Sequence, residues 1–231
     1  GMKPLLFGLL IGIGYTNEIR YETYFSNEII AAEEFIKSQQ RTIKQSAQSL
    51  GHSERMCIAI VYPELLRYSA WKDLLETKAM EEGYTRWGSD RIDFSIGHFQ
   101  MKASFAEYIE TAVKENDSLM VKYARLYTYP SKHQTLIRSH RIKRLKSTSG
   151  QLYYLHAFYD VCLIKYPQLC KMNASDRVFA LASIYNRGFQ NNLNVLIQHG
   201  KNKEFPYGSS YPGTQFSYGE IAKSYFNKTA K

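Results

Sequence analysis

The stretch SERMCIAIVYPELLRY, residues 53–68, decides how this chain is read. A polar opening leads into an apolar run from Met56 to Tyr62, and the charged pair Glu64 and Arg67 follows. A helix apolar on every side belongs in the middle of a helical domain. Pro63 removes one backbone donor and predicts a kink. The charged pair then poses a question of solvation. Glu64 among Val61, Tyr62, Leu65 and Leu66 reads either as a desolvated carboxyl with a raised pKa or as the partner of Arg67.

Outward from this segment the pattern stays helical. Residues 26–49 carry Ile29, Ile30, Phe35, Ile36 and Ile43 at amphipathic spacing. Residues 71–83 predict a short helix ended by Gly83. Residues 84–100, YTRWGSDRIDFSIGHFQ, alternate glycines with β-formers and predict short strands or a hairpin. Helices are expected at about 102–115, 117–127, 131–145 and 149–166. Asn173 to Asp176 and Ser217 to Glu220 resemble capping boxes ahead of two further helices. The expected fold is mainly α, a helical domain with a small β-hairpin insertion. No repeat or Pro/Gly-rich linker interrupts residues 21–231, so one domain is expected there.

Composition narrows the partners. A net charge of +9 favours an anionic polymer: nucleic acid, an acidic membrane surface or a cell-wall glycan. Nineteen tyrosines against two tryptophans suit stacking on sugars, although most read as half-buried helix residues. Cys57, Cys162 and Cys170 form no CxxC pair, so they are read as small core hydrophobes. The six histidines are scattered along the chain, no HExxH occurs, and neither a metal site nor a cofactor is expected. Gly1 ahead of Met2 reads as a cloning remnant. Lys3 and the apolar run PLLFGLLIGIG have the charge and length of a secretory signal core, too short for a membrane anchor. Residues 1–20 are therefore expected to be a leader, and the protein to be exported to the periplasm or cell envelope. The glycines of that run lack the βαβ setting of a dinucleotide site.

Two further stretches carry chemistry. In residues 95–100, Ser95, Gly97 and Gln100 form a glycine turn with amides suited to sugar hydroxyls or N-acetyl groups, and His98 reads as a wall or structural residue. Asp90 and Asp93 precede it, either as turn-formers or as a second carboxylate for glycoside cleavage. In residues 182–188, Tyr185 and Asn186 stand at a helix end, where Arg187 and Gly188 also suit plain capping.

In this order, VYPELLRYS with Glu64, SIGHFQMKASFAE and ALASIYNRGF resemble the lytic transglycosylase and goose-type lysozyme superfamily. Thr214 to Tyr218 looks like that family's closing segment, so the resemblance covers roughly residues 53 to 226. It departs in three places. Leu65 replaces the serine that usually follows the acid, the span from Glu64 to Ser95 is long, and so is 117–172. The resemblance implies a lysozyme-like fold and peptidoglycan glycan strands as substrate. Glu64 would protonate the bond between N-acetylmuramic acid and N-acetylglucosamine, while Ser95, Gln100, Tyr185, Asn186 and Tyr218 would hold the sugars. A lytic transglycosylase needs one carboxylate, and a goose-type lysozyme would recruit Asp90 or Asp93. The expected enzyme is a transglycosylase, monomeric, and open to a cell-envelope complex. Two rivals stand beside it. One is an inactive peptidoglycan-binding scaffold. The other is a nucleic-acid binder using the basic run IRSHRIKRLK, residues 137–146, a run that more often is only a solvated face. The ordered Glu, Gln and Tyr-Asn segments argue against nucleic acid.

Overall fold

The computed structural model describes residues 18–75 and 78–230. The apolar run at residues 4–14, expected to be part of a leader, lies outside them. The chain opens with helices α1 Tyr21–Tyr24, α2 Ser26–Ser38, α3 Gln40–Leu50, α4 Glu54–Leu75 and α5 Lys78–Trp87. A hairpin follows, strands β1 Ser95–Ile96 and β2 Met101–Lys102, and leads directly into α6 Ala103–Lys114. Helices α7 Asp117–Lys122, α8 Ala124–Tyr127, α9 Gln134–Leu145 and α10 Thr148–Lys165 come next. A 3₁₀ turn at Pro167–Lys171 precedes α11 Ala174–Arg187 and α12 Leu193–Gly200. A second hairpin, β3 Lys203–Phe205 with β4 Phe216–Ser217, feeds α13 Tyr218–Lys228. The fold is mainly α with a small β-hairpin insertion, as expected, and the second hairpin was not foreseen. Among the described residues, no helix is long and apolar enough to cross a membrane.

Helix α4 is the axis of the molecule. Cys57 to Tyr62, Leu65 and Leu66 are at most 3% exposed, and α2, α11 and α13 pack around them. Burial on all sides is what the unbroken apolar run demanded. The helix continues through Pro63 to Leu75, well beyond the expected end.

Several boundaries differ from the sequence reading, each for a local reason. Residues 26–49 form two helices with a break at Gln39, and Ile30 of the expected apolar stripe is 56% exposed. Gly83 does not end a helix but lies inside α5. A Cβ there would come 2.9 Å from the Ile92 side chain, so this glycine serves a close approach. Tyr84 to Trp87 are helical, and the hairpin keeps only two residues per strand. Residues 117–127 split at Tyr123. Both expected N-caps form: Asn173 accepts from the Asp176 amide and Ser217 from the Glu220 amide. Cys57 and Cys162 are buried, whereas Cys170 is exposed, so only two of the three are core residues. Many of the tyrosines are half-buried, as expected, while others lie deeper. Tyr84, Tyr123 and Tyr154 are fully enclosed, with their hydroxyls donating to Glu107, Asp160 and Glu110.

The basic run on α9 is largely committed inside the molecule. Arg141 is buried and grips both oxygens of Glu110, at 2.9 and 2.7 Å, while its other nitrogen reaches Tyr84 at 2.6 Å. Arg144 donates to the carbonyls of Leu126 and Thr128, Arg138 to that of Arg86, and Lys146 to Glu81. These contacts tie α9 to its neighbouring elements. Breaking the central pair strands a buried charge. Glu110→Ala is therefore expected to cost about 3–5 kcal/mol in denaturant unfolding, whereas the exposed Lys143→Ala stays within about 0.5 kcal/mol.

Candidate active site

One cleft, about 640 Å³, is lined by Glu64, Ser95, Gln100, Tyr185 and Asn186 together with Asp93. Residues more than a hundred positions apart thus meet at one surface. Glu64 comes from the middle of α4 rather than its end. Ser95 comes from β1 and Gln100 from the hairpin turn, while Tyr185 and Asn186 come from the last turn of α11.

Glu64 is both of the things its sequence allowed. It is buried, with 4% exposure, and the Arg67 guanidinium lies 3.1 Å from each carboxylate oxygen. Burial pushes the carboxyl's pKa up, while Arg67, the Tyr218 hydroxyl and Lys102 pull it down. The net direction is upward from the ordinary 4.5. Arg67 in turn sits over the Phe205 ring at 4.8 Å, and its Nε is buried without a partner. Phe205 belongs to the second hairpin, so that unforeseen element supports the carboxyl from behind.

The hairpin turn is built to hold its wall. Gln100 adopts a positive φ of 49° and folds its amide back on the Gly97 carbonyl at 2.7 Å. Gln151 of α10 donates to the Ile96 carbonyl at 2.6 Å and accepts from the Phe99 amide. Tyr185 donates to the Phe99 carbonyl, also at 2.6 Å. The turn therefore requires glycine at 97, and Gly97 does not line the cleft. Its φ is 66°, and a Cβ would come 2.6 Å from the Gln151 amide. His98 is stacked between Phe35 and Tyr68, with centroids at 3.9 and 4.2 Å, and burial lowers its pKa.

Two other expected site residues also stand off the cleft wall. Tyr218 is wholly buried behind Glu64, donates to the Ile60 carbonyl at 3.3 Å and hydrogen-bonds the carboxyl, so it acts through Glu64. Asp90 is exposed in a turn after α5. Asp93 does reach the cleft, but its oxygens take the Ser104 amide at 3.1 Å and hydroxyl at 2.7 Å, and Lys102 is 3.9 Å away. It anchors the start of α6.

Sequence reasoning missed the aromatic rim. Tyr108 stacks on Phe189 with centroids 4.3 Å apart and planes 16° from parallel, beside Phe105. Phe189 directly follows the Tyr-Asn-Arg-Gly segment, which was the available signal. Lys102 and Arg187 add positive charge to the wall. A cleft of similar size, about 700 Å³, lies between α3, α8 and α10, but no carboxylate, histidine or cysteine lines it.

Two of the six histidines, far apart along the chain, meet in space: His52, Cys57 and His156 bring three potential ligand atoms within 4.8 Å of one another, with Cys57 and His156 buried and His52 half-buried. Comparison with known proteins adds no name: no family model, curated protein or solved structure matches this chain.

The raised carboxyl has a consequence for stability. A carboxyl whose folded pKa lies above its unfolded value stabilises the fold below the unfolded pKa. That contribution is lost as pH rises through the folded pKa. Glu64→Gln removes this loss, so its melting temperature relative to wild type is expected to climb between about pH 4 and pH 8. A difference that stays flat across that range would contradict the upward shift.

Proposed function

We propose that this chain is a peptidoglycan-cleaving glycosidase that cuts the β-1,4 bond between N-acetylmuramic acid and N-acetylglucosamine as a lytic transglycosylase. The observation that carries the reading is one buried, protonatable carboxyl, Glu64, opening on a cleft walled by Gln100, Tyr185 and Asn186. The ordered motifs that resemble the lytic transglycosylases supply the substrate class.

The chemistry follows from the two opposing influences on Glu64. Burial favours the protonated acid before reaction, and Arg67 stabilises the carboxylate once the proton has left. Glu64 gives its proton to the bridging oxygen, and the bond from C1 to that oxygen breaks with its electron pair leaving on the oxygen. The Glu64 carboxylate then takes the proton of the muramyl 6-hydroxyl as O6 closes on C1. The products are a 1,6-anhydro end and a free 4-hydroxyl, with Glu64 reprotonated and no water consumed. Ser95, Gln100 and Asn186 are placed to hold hydroxyl and N-acetyl groups, and the Tyr108–Phe189 stack offers an apolar face to a sugar ring.

One carboxylate suffices for this route, whereas a goose-type hydrolase needs a second to position water. Asp93 is the candidate on the cleft, and its commitment to Ser104 favours the transglycosylase. Lys102 and Arg187 suit the lactyl and peptide carboxylates of the glycan, and with them export to the cell envelope.

Digestion of purified sacculi, with muropeptides read by mass spectrometry, tests the reading. Wild type is expected to release anhydro-muropeptides and Glu64→Gln to release them on the order of 10²-fold more slowly or worse. Reducing ends would instead make the protein a lysozyme and promote Asp93. Equal release by the variant would remove Glu64 as the acid, and no release by a folded wild type would favour a binding scaffold.

A further inference from the structure

A cluster of chemistry-bearing groups outside the cleft joins the α3–α4 junction to α10. Gly51 ends α3 at φ 73° and turns the chain so that His52 faces inward, one turn before Cys57 on α4. His52 Nδ1 lies 2.8 Å from His156 Nδ1, and Cys57 Sγ lies 3.5 Å from the same His156 nitrogen. Two imidazole nitrogens and one sulfur therefore gather within 4.8 Å of one another. His156 is 1% exposed and its Nε2 has no partner.

We propose that His52 Nδ1, His156 Nδ1 and Cys57 Sγ form a binding site for a zinc-class divalent cation that clamps α10 to the base of α4. Two imidazoles and a thiolate are the mixed nitrogen-sulfur set that suits zinc. Tetrahedral bonds of about 2.1 Å to nitrogen and 2.3 Å to sulfur put nitrogen and sulfur about 3.6 Å apart and the two nitrogens about 3.4 Å apart. The spacing from the sulfur to His156 is already met, at 3.5 Å. The two nitrogens would separate by about 0.6 Å.

The surroundings are those of a ligand held from behind. His52 Nε2 meets Asp160 Oδ1 at 2.9 Å, the carboxylate partner that fixes a metal-bound imidazole with Nδ1 bare. Asp160 is itself held by Lys122 at 2.7 Å and by the Tyr123 hydroxyl at 2.6 Å. Tyr123 also donates to the His156 carbonyl at 3.0 Å. Burial works against the Asp160 charge, but His52, Lys122 and Tyr123 outweigh it and hold the carboxyl down at about 2. Without a cation, burial pushes the Cys57 thiol up to about 12. Binding releases that thiol proton to solvent and moves the single His156 proton to Nε2, leaving a neutral imidazole and a thiolate as ligands. Cys57 and Glu64 are seven residues apart on α4, about 10 Å along the helix axis, so the clamp fixes the helix that carries the acid without touching substrate.

Cobalt(II) is the probe, titrated into the full chain purified without a metal-affinity tag and stripped with chelator. The expected result is a near-ultraviolet sulfur-to-cobalt charge-transfer band that saturates at about one equivalent and is bleached by zinc(II). Cys57→Ser should lose that band. Asp160→Asn keeps all three ligands and should keep the band with affinity lowered about 10–100-fold. His52→Ala, at the edge of the cluster, serves if Cys57→Ser fails to fold by circular dichroism. Absence of the band in the wild type, or its persistence in either ligand variant, would overturn the proposal and leave a hydrogen-bonded core network.

Discussion

Glu64 carries a carboxyl in the middle of the central helix α4, and most of the architecture around the cleft follows from accommodating it. A carboxylate in a dry interior is costly unless it is paired or protonated. Arg67, one turn on, supplies a pair, and Phe205 supports Arg67 from beneath. Tyr218 closes the rear of the carboxyl from the first turn of α13, a turn fixed by the Ser217 cap. What remains is an opening on one side only, onto the cleft. Burial that would merely weaken a core thus becomes useful if the group must give and regain a proton.

The cleft's opposite wall is held just as deliberately. A hairpin with two residues per strand has little stability of its own. Here it is braced by Gln151 from α10 and Tyr185 from α11, which together engage the backbone of Ile96 and Phe99. The polar residues that look misplaced among Ile96, Phe99 and Met101 therefore divide into two kinds. Gly97 and His98 serve the turn and its packing, while Ser95 and Gln100 face the cleft.

Much of this was legible in the sequence. The apolar run before Glu64 announced a buried central helix, and Asn173 and Ser217 announced two helix starts. The order of the Glu, Ser-x-Gly-x-x-Gln and Tyr-Asn segments brought together five residues that do share a cleft. Other features depend on contacts that no local pattern encodes. Gly83 reads as a helix end until Ile92 is found against it, and the commitment of Arg141 depends on Glu110, 31 positions away. The burial of Tyr218 behind Glu64 and the meeting of His52 and Cys57 with His156 are likewise properties of the packed helices. Asp93 was an open second carboxylate in the sequence and becomes a helix anchor once Ser104 is seen beside it.

The central claim is that desolvation outweighs Arg67 at Glu64. It is tested most directly by titrating the Glu64 side-chain carboxyl by carbon-detected NMR, with Glu64→Gln used to assign the resonance. The account predicts a midpoint clearly above the ordinary 4.5. A midpoint at or below that value would mean that the ion pair with Arg67 dominates, and Glu64 would then be a structural carboxylate rather than an acid.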